Sequence, residues 1–565
     1  MKVLSMKSAL VLAATVVVSS HAMAARYMIV FKNKDVFQQT HVQLMLQQLP
    51  LQSIRIQQGG VVTQPFAQAR VQVENSLQNL NTLVINAQDE KSIEALAQSD
   101  AVALVEKEVF HPAPKPVNGF VMTQAWDYNV NYAVQRRSSE FLSATGSVGP
   151  KTPYGINLVH APQAWAASHY GEGARVLVLD TGLDKNHPAV KANFEKGQNF
   201  VGDNNQPYDI ADHVGHGTHV SGTIAATFSA DGFVGVAPKA KLLMGRVCSD
   251  QGCSNVAVAE GISWGIQEKV DVISMSLGGA FATSAEQRAV VAAEAAGVAI
   301  VAASGNDGQA HVSYPGAFPT VLAVGAVDAN SAKAAFSNWG PELGIVGPGV
   351  AVVSSVPLGS GRESKVLAGV GSSQREVKST SFVGAPDVAQ PTTNDLVFAG
   401  LGKPENYQTV NVKGKFALVQ RGELAFGDKA KNAIAAGAAG LVIFNNAPGL
   451  VQGALTQDGS ILAIPVVMIE QTSGDEMQRA LAAGQAARAT IQTVATDFAT
   501  FDGTSMATPH VAGVAALVRA ANKTLTPSQL RDALKKTATR LAPNDQNQLG
   551  SGLVNAEAAV QSVSH

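Results

Sequence analysis

The chain has 565 residues, 46% of them hydrophobic and 15% charged, with a formal net charge of −2. That much apolar material excludes a globally disordered chain, and the length suits about three or four domains. The near-balanced charge gives no ground for a nucleic-acid partner, which needs a concentrated basic face.

The first residues read as an export signal. Lys2 and Lys7 give a positive start, Ala9 to Val18 is an apolar run, and Ala22-Met23-Ala24 is a small-x-small cleavage site. The run is too short to cross ~30 Å of hydrocarbon as a helix. No later stretch has the ~18 uninterrupted apolar residues of a span. Residues 1–24 are therefore expected to be a cleaved signal peptide. The mature chain is expected to be secreted and free of the membrane.

Residues 25–110 then show a compact α+β pattern. Strands are expected at Arg26–Asn33, Thr82–Ile85 and Ala101–Val105, with helices near Gln43–Leu49 and through Lys91–Gln98. Residues 111–150 have no clear period and carry Pro112, Pro114 and Pro116, so they read as a linker or processing region. From Thr152 the texture becomes that of an α/β domain, with short Val- and Ile-rich runs at Val176–Leu179, Lys241–Val247, Val270–Met275, Val298–Ala302 and Val321–Val327. Helices are expected between them at Val256–Gln267 and Ser284–Ala296, and at the end at Ala507–Ala520, Thr526–Lys536 and Asn555–Val563. Such alternation predicts a mostly parallel sheet flanked by helices. This domain spans 151–358 and 497–565. It is interrupted at 359–496 by a module that starts polar and turn-rich. The module then runs strand (Phe416–Gln420), helix (Lys429–Ala436), strand (Leu441–Phe444) and strand (Pro465–Ile469).

The two cysteines, Cys248 and Cys253, are five residues apart. An exported chain permits a disulfide; the alternative is two free thiols. Their closeness and the lack of any other cysteine favour a bridge closing the loop Ser249-Asp250-Gln251-Gly252.

Three segments carry chemistry. Val-Leu-Val-Leu-Asp180-Thr-Gly places an acid at the end of a buried strand. His213-Val-Gly-His216-Gly-Thr-His219 opens a helix, and so does Gly503-Thr-Ser505-Met-Ala-Thr-Pro509-His510. A hydroxyl at a helix start lies where the positive helix end favours developing negative charge. Pro509 is expected in the first helical turn, where its missing N–H costs little. A histidine can take the serine proton, and an aspartate can fix the imidazole tautomer. The series His213, His216, His219 could suggest zinc, but it lacks the glutamate of His-Glu-x-x-His. His219 is read as structural and His213 as a solvated loop residue.

These blocks, in the order Asp, His, Ser, resemble those of the subtilisin family of serine proteases. The resemblance covers about residues 150–357 and 497–560. It implies a secreted serine endopeptidase working through Asp180, His216 and Ser505 on protein or peptide substrates. The other class of reading is a catalytically silent binding protein on the same fold. Ala303-Ser304-Gly305-Asn306 is similar to the family's oxyanion block, which implies Asn306 as a side-chain donor. Ser276, Leu277 and Gly278 resemble one substrate-binding wall, and Gly252 and Ser254, with Cys253 between them, resemble the other. Ser313 falls at the floor of the primary pocket. A small uncharged residue there implies a preference for large apolar side chains, and the Cys248–Cys253 bridge would stiffen a binding wall. The chemistry implies no cofactor. A structural calcium is common in the family, but Ala189 and Thr227-Phe228-Ser229 depart from its usual N-terminal pattern, so the metal ligands stay unknown. Residues 25–110 resemble the family's inhibitory propeptide, which implies an intramolecular inhibitor. Gly414–Gly422 and Ala436–Gly440 make the insert similar to a protease-associated domain. Nucleotide binding at Arg421-Gly422 is set aside for want of a phosphate-loop motif.

Overall fold

The computed structural model describes residues 25–47, 71–87, 89–114, 152–202, 206–229, 232–249, 251–371, 373–382, 384–446, 450, 455–456 and 460–564. The expected signal peptide and the pair Arg136-Arg137 lie outside these residues. The chain divides into two compact units, Met1–Glu108 and Val109–His565.

The first unit is a four-stranded antiparallel sheet in the spatial order Val71–Leu77, Thr82–Ala87, Ala25–Phe31, Val102–Lys107. Two helices accompany it, Lys34–Gln47 and Glu90–Ala97. Ile29, Phe31, Phe37, Leu83, Ile85 and Leu96 form its core. Asp89 starts the second helix by accepting from the Ser92 N–H, which satisfies one of the donors a helix start leaves open. Strand Val71–Leu77 was not expected. Its Val-Gln-Val-Glu-Asn-Ser-Leu sequence is mostly polar and half-exposed, so it carries no apolar run.

The second unit is built on a seven-stranded parallel sheet. Its spatial order is Leu343–Pro348, Val321–Val327, Ala299–Ala303, Val272–Met275, Arg175–Asp180, Lys241–Arg246, Phe194–Asn199. The five expected strands are its centre, and the two outermost are additional. Phe194–Asn199 reads Phe-Glu-Lys-Gly-Gln-Asn, a half-exposed edge, and Leu343–Pro348 is broken by two glycine positions. Strand order reverses direction at Arg175–Asp180, with later strands on both sides of it. In open parallel sheets a ligand crevice forms outside the carboxyl ends of the strands at such a reversal. Asp180 is the last residue of that strand.

Helix Thr504–Ala521 is buried over nearly its whole length and packs on the sheet. It also packs against helix His216–Ala225. Both contribute to one large core with Val176, Val178, Val220, Ile224, Val511 and Val514. A helix apolar on all sides has to sit inside the molecule, and this one does.

The inserted module begins with a structure its polar sequence did not announce. Strands Gly361–Val370 and Ala487–Thr496 form an antiparallel ribbon from Gly361↔Thr496 to Val370↔Ala487. Just outside it, Val352–Ser355 pairs with Phe498–Phe501. Strand Val388–Phe398 joins the ribbon to the parallel strands Phe416–Gln420, Gly440–Phe444 and Val466–Ile469. The last three agree with expectation. Two cores sandwich this sheet, one with Phe382, Phe426 and Ile443, the other with Phe416, Phe444 and Met477.

Candidate active site

Asp180 and His216 are both fully buried, and His216 Nδ1 lies 2.8 Å from Asp180 Oδ1. The Thr181 N–H donates to the same carboxylate oxygen at 2.7 Å. Facing a carboxylate, Nδ1 is the ring nitrogen placed to donate, and Nε2 points away from Asp180. The close approach depends on Gly217, where a Cβ would fall 2.2 Å from the Gly182 carbonyl oxygen.

A residue that sequence reading missed holds this pair together. Buried Asp212 accepts through Oδ1 from Thr181 Oγ1 (2.9 Å), Val214 N (3.1 Å) and Gly215 N (2.8 Å). Through Oδ2 it accepts from Thr218 N (2.8 Å) and Thr218 Oγ1 (2.7 Å). One carboxylate thus ties the loop after Asp180 to the start of the His216 helix, where negative charge is favoured.

Ser505 is the second residue of helix Thr504–Ala521 and is buried. Its hydroxyl donates to the Ser276 carbonyl at 3.1 Å, and among the described residues His216 Nε2 has no hydrogen-bond partner. Pro509 corrects the expectation made for it. It lies at the sixth position of the helix, past the first turn, so the Ser505 carbonyl loses its usual intrahelical donor. The Ser276 hydroxyl replaces that donor at 2.8 Å. Ser276 thereby holds Ser505 twice, through its carbonyl and its hydroxyl.

Asn306 Oδ1 accepts from Thr504 N at 2.9 Å and Thr504 Oγ1 at 2.8 Å. With the carbonyl end fixed, the amide nitrogen is the end left to donate. Sequence reading named Asn306 but not Thr504, its anchor. Replacing Asn306 by Ala is expected to lower kcat by about 10²–10³, a scale carried over from a subtilisin, with little change in KM. Steady-state kinetics on one peptide checks it.

The residues expected to form the walls lie as follows. Gly252–Ser254 is a short strand, paired with Cys248–Ser249 and closed by the Cys248–Cys253 disulfide. Leu277 and Ser313 are buried, and Gly279 bridges Tyr314. A Cβ on Gly278 would lie 3.3 Å from the Ser313 Cβ, so these two residues are close neighbours. The three histidines of the His-x-x-His-x-x-His series do not converge. His213 is exposed, His216 faces Asp180, and His219 Nε2 meets the Val352 carbonyl at 3.0 Å. Burial pushes the His219 pKa down to about 3, so it stays neutral. Among the described residues, no three His, Cys, Asp or Glu side chains cluster as a metal site. The Ala189 carbonyl accepts from Thr227 N at 2.8 Å and Thr227 Oγ1 at 3.3 Å.

Asp502 precedes the Ser505 helix and is buried. Burial pushes its carboxyl up to about 7, although the Ala351 N–H donates to it. The folded pKa therefore exceeds the unfolded value of about 4. Stability from this group is full below about pH 4 and is lost as pH rises through about 7. In a Ser505→Ala background, Asp502→Asn should gain stability on its parent between pH 5 and pH 8, by as much as a few kcal/mol. Urea midpoints at the two pH values check this.

Comparison with known proteins agrees with the geometry. The subtilase family model matches residues 171–387, and a PA domain model matches residues 383–477. The chain is 41% identical over 214 residues to an intracellular serine protease of Paenibacillus polymyxa, covering 37% of this chain and 65% of that one. It is also 41% identical over 213 residues to the major intracellular serine protease of Bacillus subtilis (strain 168), covering 36% of this chain and 67% of the relative. Against subtilisin E of the same organism the identity is 38%, over 55% of that protein's length. The matched region thus spans about two thirds or less of these three relatives. A solved psychrophilic subtilisin-like protease from the Antarctic psychrotroph Pseudoalteromonas sp. AS-11 superposes with a TM-score of 0.51 at 30% identity, covering 74% of this chain and 99% of that one. Fold and site define a serine-peptidase scaffold carrying an inserted domain. The chain belongs to the subtilase family, and the insert is a PA domain.

Proposed function

We propose that this chain is a secreted serine endopeptidase, made as a zymogen, that hydrolyses peptide bonds through Asp180, His216 and Ser505. The observation that carries the reading is the buried 2.8 Å contact between Asp180 and His216, on a helix packed against the one that Ser505 opens. In this reading Ser505 Oγ attacks the peptide carbonyl, and His216 Nε2 takes its proton and returns it to the leaving amine. Asp180 stays ionised and steadies the imidazolium. Asn306 and the Ser505 N–H receive the oxyanion, and water then hydrolyses the acyl-enzyme. No step calls for a cofactor; a structural calcium elsewhere is compatible with the scheme.

The substrate would lie extended between Ser276-Leu277-Gly278 and Gly252–Ser254, by strand addition. Supporting this, the second wall already pairs with a short strand of the chain itself, Phe110–His111. The described structure thus continues in order through the 110/111 boundary drawn from sequence. The unit before it is assigned as the intramolecular inhibitor, and residues 1–24 as the signal that exports the chain. Among the described residues no helix is long and apolar enough to cross a membrane. The PA domain is assigned to substrate access.

Casein hydrolysis by wild type and Ser505→Ala tests the activity. A peptide-library profile tests the pocket: large apolar residues before the cleaved bond are expected, since Ser313 puts no charge at its floor. Rapid cleavage only after Arg or Lys would contradict this.

A further inference from the structure

The strand Phe110–His111 is more than a spacer. It runs antiparallel to Gly252–Ser254, with His111 opposite Cys253 and Phe110 opposite Ser254. Asn255 clamps the residue before it. The Asn255 N–H donates to the Val109 carbonyl at 3.0 Å, and the Val109 N–H donates to Asn255 Oδ1 at 2.8 Å. The wall accepts this strand because residue 252 is glycine. A Cβ there would fall 2.1 Å from the His111 carbonyl oxygen, at a φ of +127° that side chains rarely adopt.

The imidazole of His111 then enters a built pocket. It is fully buried, and its Nε2 lies 2.9 Å from both oxygens of Glu286, also fully buried. Opposite, residue 279 must be small, since a Cβ on Gly279 would fall 2.2 Å from His111 Nδ1. The Phe281 ring lies over the imidazole with centroids 5.2 Å apart. Glu286 is held from behind, because the Thr283 hydroxyl donates to its Oε2 at 2.7 Å and Thr283 caps the helix that carries it. A buried carboxylate is costly unless donors satisfy it. Here the incoming side chain supplies the donor.

We propose that Glu286 is a specificity-determining residue: it selects an imidazole-bearing residue in an extended peptide bound along Gly252–Ser254, and His111 is the chain's own copy of that residue. This rests on the endopeptidase reading for its catalytic consequence, but not for its binding consequence. A leucine in the pocket would leave Glu286 without its N–H donor. A charged group's hydrogen bond of this kind corresponds to roughly ten- to hundredfold in affinity.

The test has two parts. First, in the full chain carrying Ser505→Ala, amide hydrogen exchange of the 109–114 segment is followed by mass spectrometry. Exchange should speed up roughly ten- to hundredfold on adding Glu286→Leu or His111→Leu. Glu286→Gln, which keeps the shape and one acceptor, should fall between. The double variant His111→Leu/Glu286→Leu should recover protection, because an apolar pair leaves nothing unsatisfied. Second, wild type and Glu286→Leu are compared on peptide pairs that differ only in His or Leu, placed at each position before the cleaved bond in turn. At one position the wild type should favour His in kcat/KM by tenfold or more, and Glu286→Leu should reverse the ratio. Exchange that is indifferent to Glu286, or a His preference that survives Glu286→Leu, overturns the proposal. Loss of casein hydrolysis in wild type would instead count against the endopeptidase reading, while the exchange result would still decide the binding claim.

Discussion

Ser505→Ala is expected to abolish casein hydrolysis, with kcat lower by roughly 10⁶-fold, a scale carried over from a subtilisin. The same change should stop trimming of the N-terminal region, read as the mass of the product. The size follows from what one oxygen does. Ser505 Oγ is the only protein group in the scheme that forms a covalent bond to substrate. Without it, Asn306 and the binding walls can still polarise a carbonyl, but water must then attack without an activated nucleophile. The structure also says that the change should not unfold the chain. Among the described residues the hydroxyl's one hydrogen bond goes to the Ser276 carbonyl, whereas the helix is held by its apolar packing and by the bond from the Ser276 hydroxyl to the Ser505 carbonyl, which alanine keeps. An alanine variant with unchanged casein hydrolysis would remove Ser505 from the mechanism.

Asp180→Asn is expected to lower kcat about 10⁴-fold while changing KM little. Asn and Asp have nearly the same shape, so the argument is about protons. Oδ1 of Asp180 already accepts from Thr181 N at 2.7 Å as well as facing His216 Nδ1 at 2.8 Å. An amide turned to keep the Thr181 bond can still accept from Nδ1, but it has lost the charge that steadies imidazolium. Turned the other way, its NH₂ faces Nδ1 and forces the proton to Nε2, the atom that must receive the serine proton. Either orientation damages the base. Nitrogen-15 chemical shifts of the imidazole would report the tautomer directly, and a rate within tenfold of wild type would contradict the assigned role.

The parts of this molecule that were legible in the sequence share a cause. Val176–Leu179 and Val321–Val327 are buried on both faces of a parallel sheet, so they appear as apolar runs; Val272–Met275 does too, interrupted only by Ser274. Asp180 ends one such run, and His216 and Ser505 open buried helices, where a polar residue has to be explained. Edge strand Phe194–Asn199 and the ribbon Gly361–Val370 with Ala487–Thr496 were not legible, because half-exposed strands carry a diluted pattern. Asp212, Thr504 and Glu286 were missed for another reason. Each takes its meaning from a partner distant in sequence: Thr181, Asn306 and His111 respectively. A single acidic or hydroxyl residue on a polar segment gives no local sign of such a partner. Pro509 was noticed, but its consequence lay in Ser276, more than two hundred residues away.

The ribbon that carries the PA domain has a further meaning for how the molecule could be assembled or taken apart. Gly361 and Thr496 are partners across it, and antiparallel partners sit about 4.5–5.5 Å apart. Everything between them leaves and re-enters the peptidase through a gap one strand wide, which a two-residue hairpin would close. The paired strands Val352–Ser355 and Phe498–Phe501 would remain as the arms of that hairpin, and the second arm runs on into Gly503 and Ser505. The domain is therefore removable as a unit without stretching the chain. While it is present, it is joined directly to the strand that leads into Ser505.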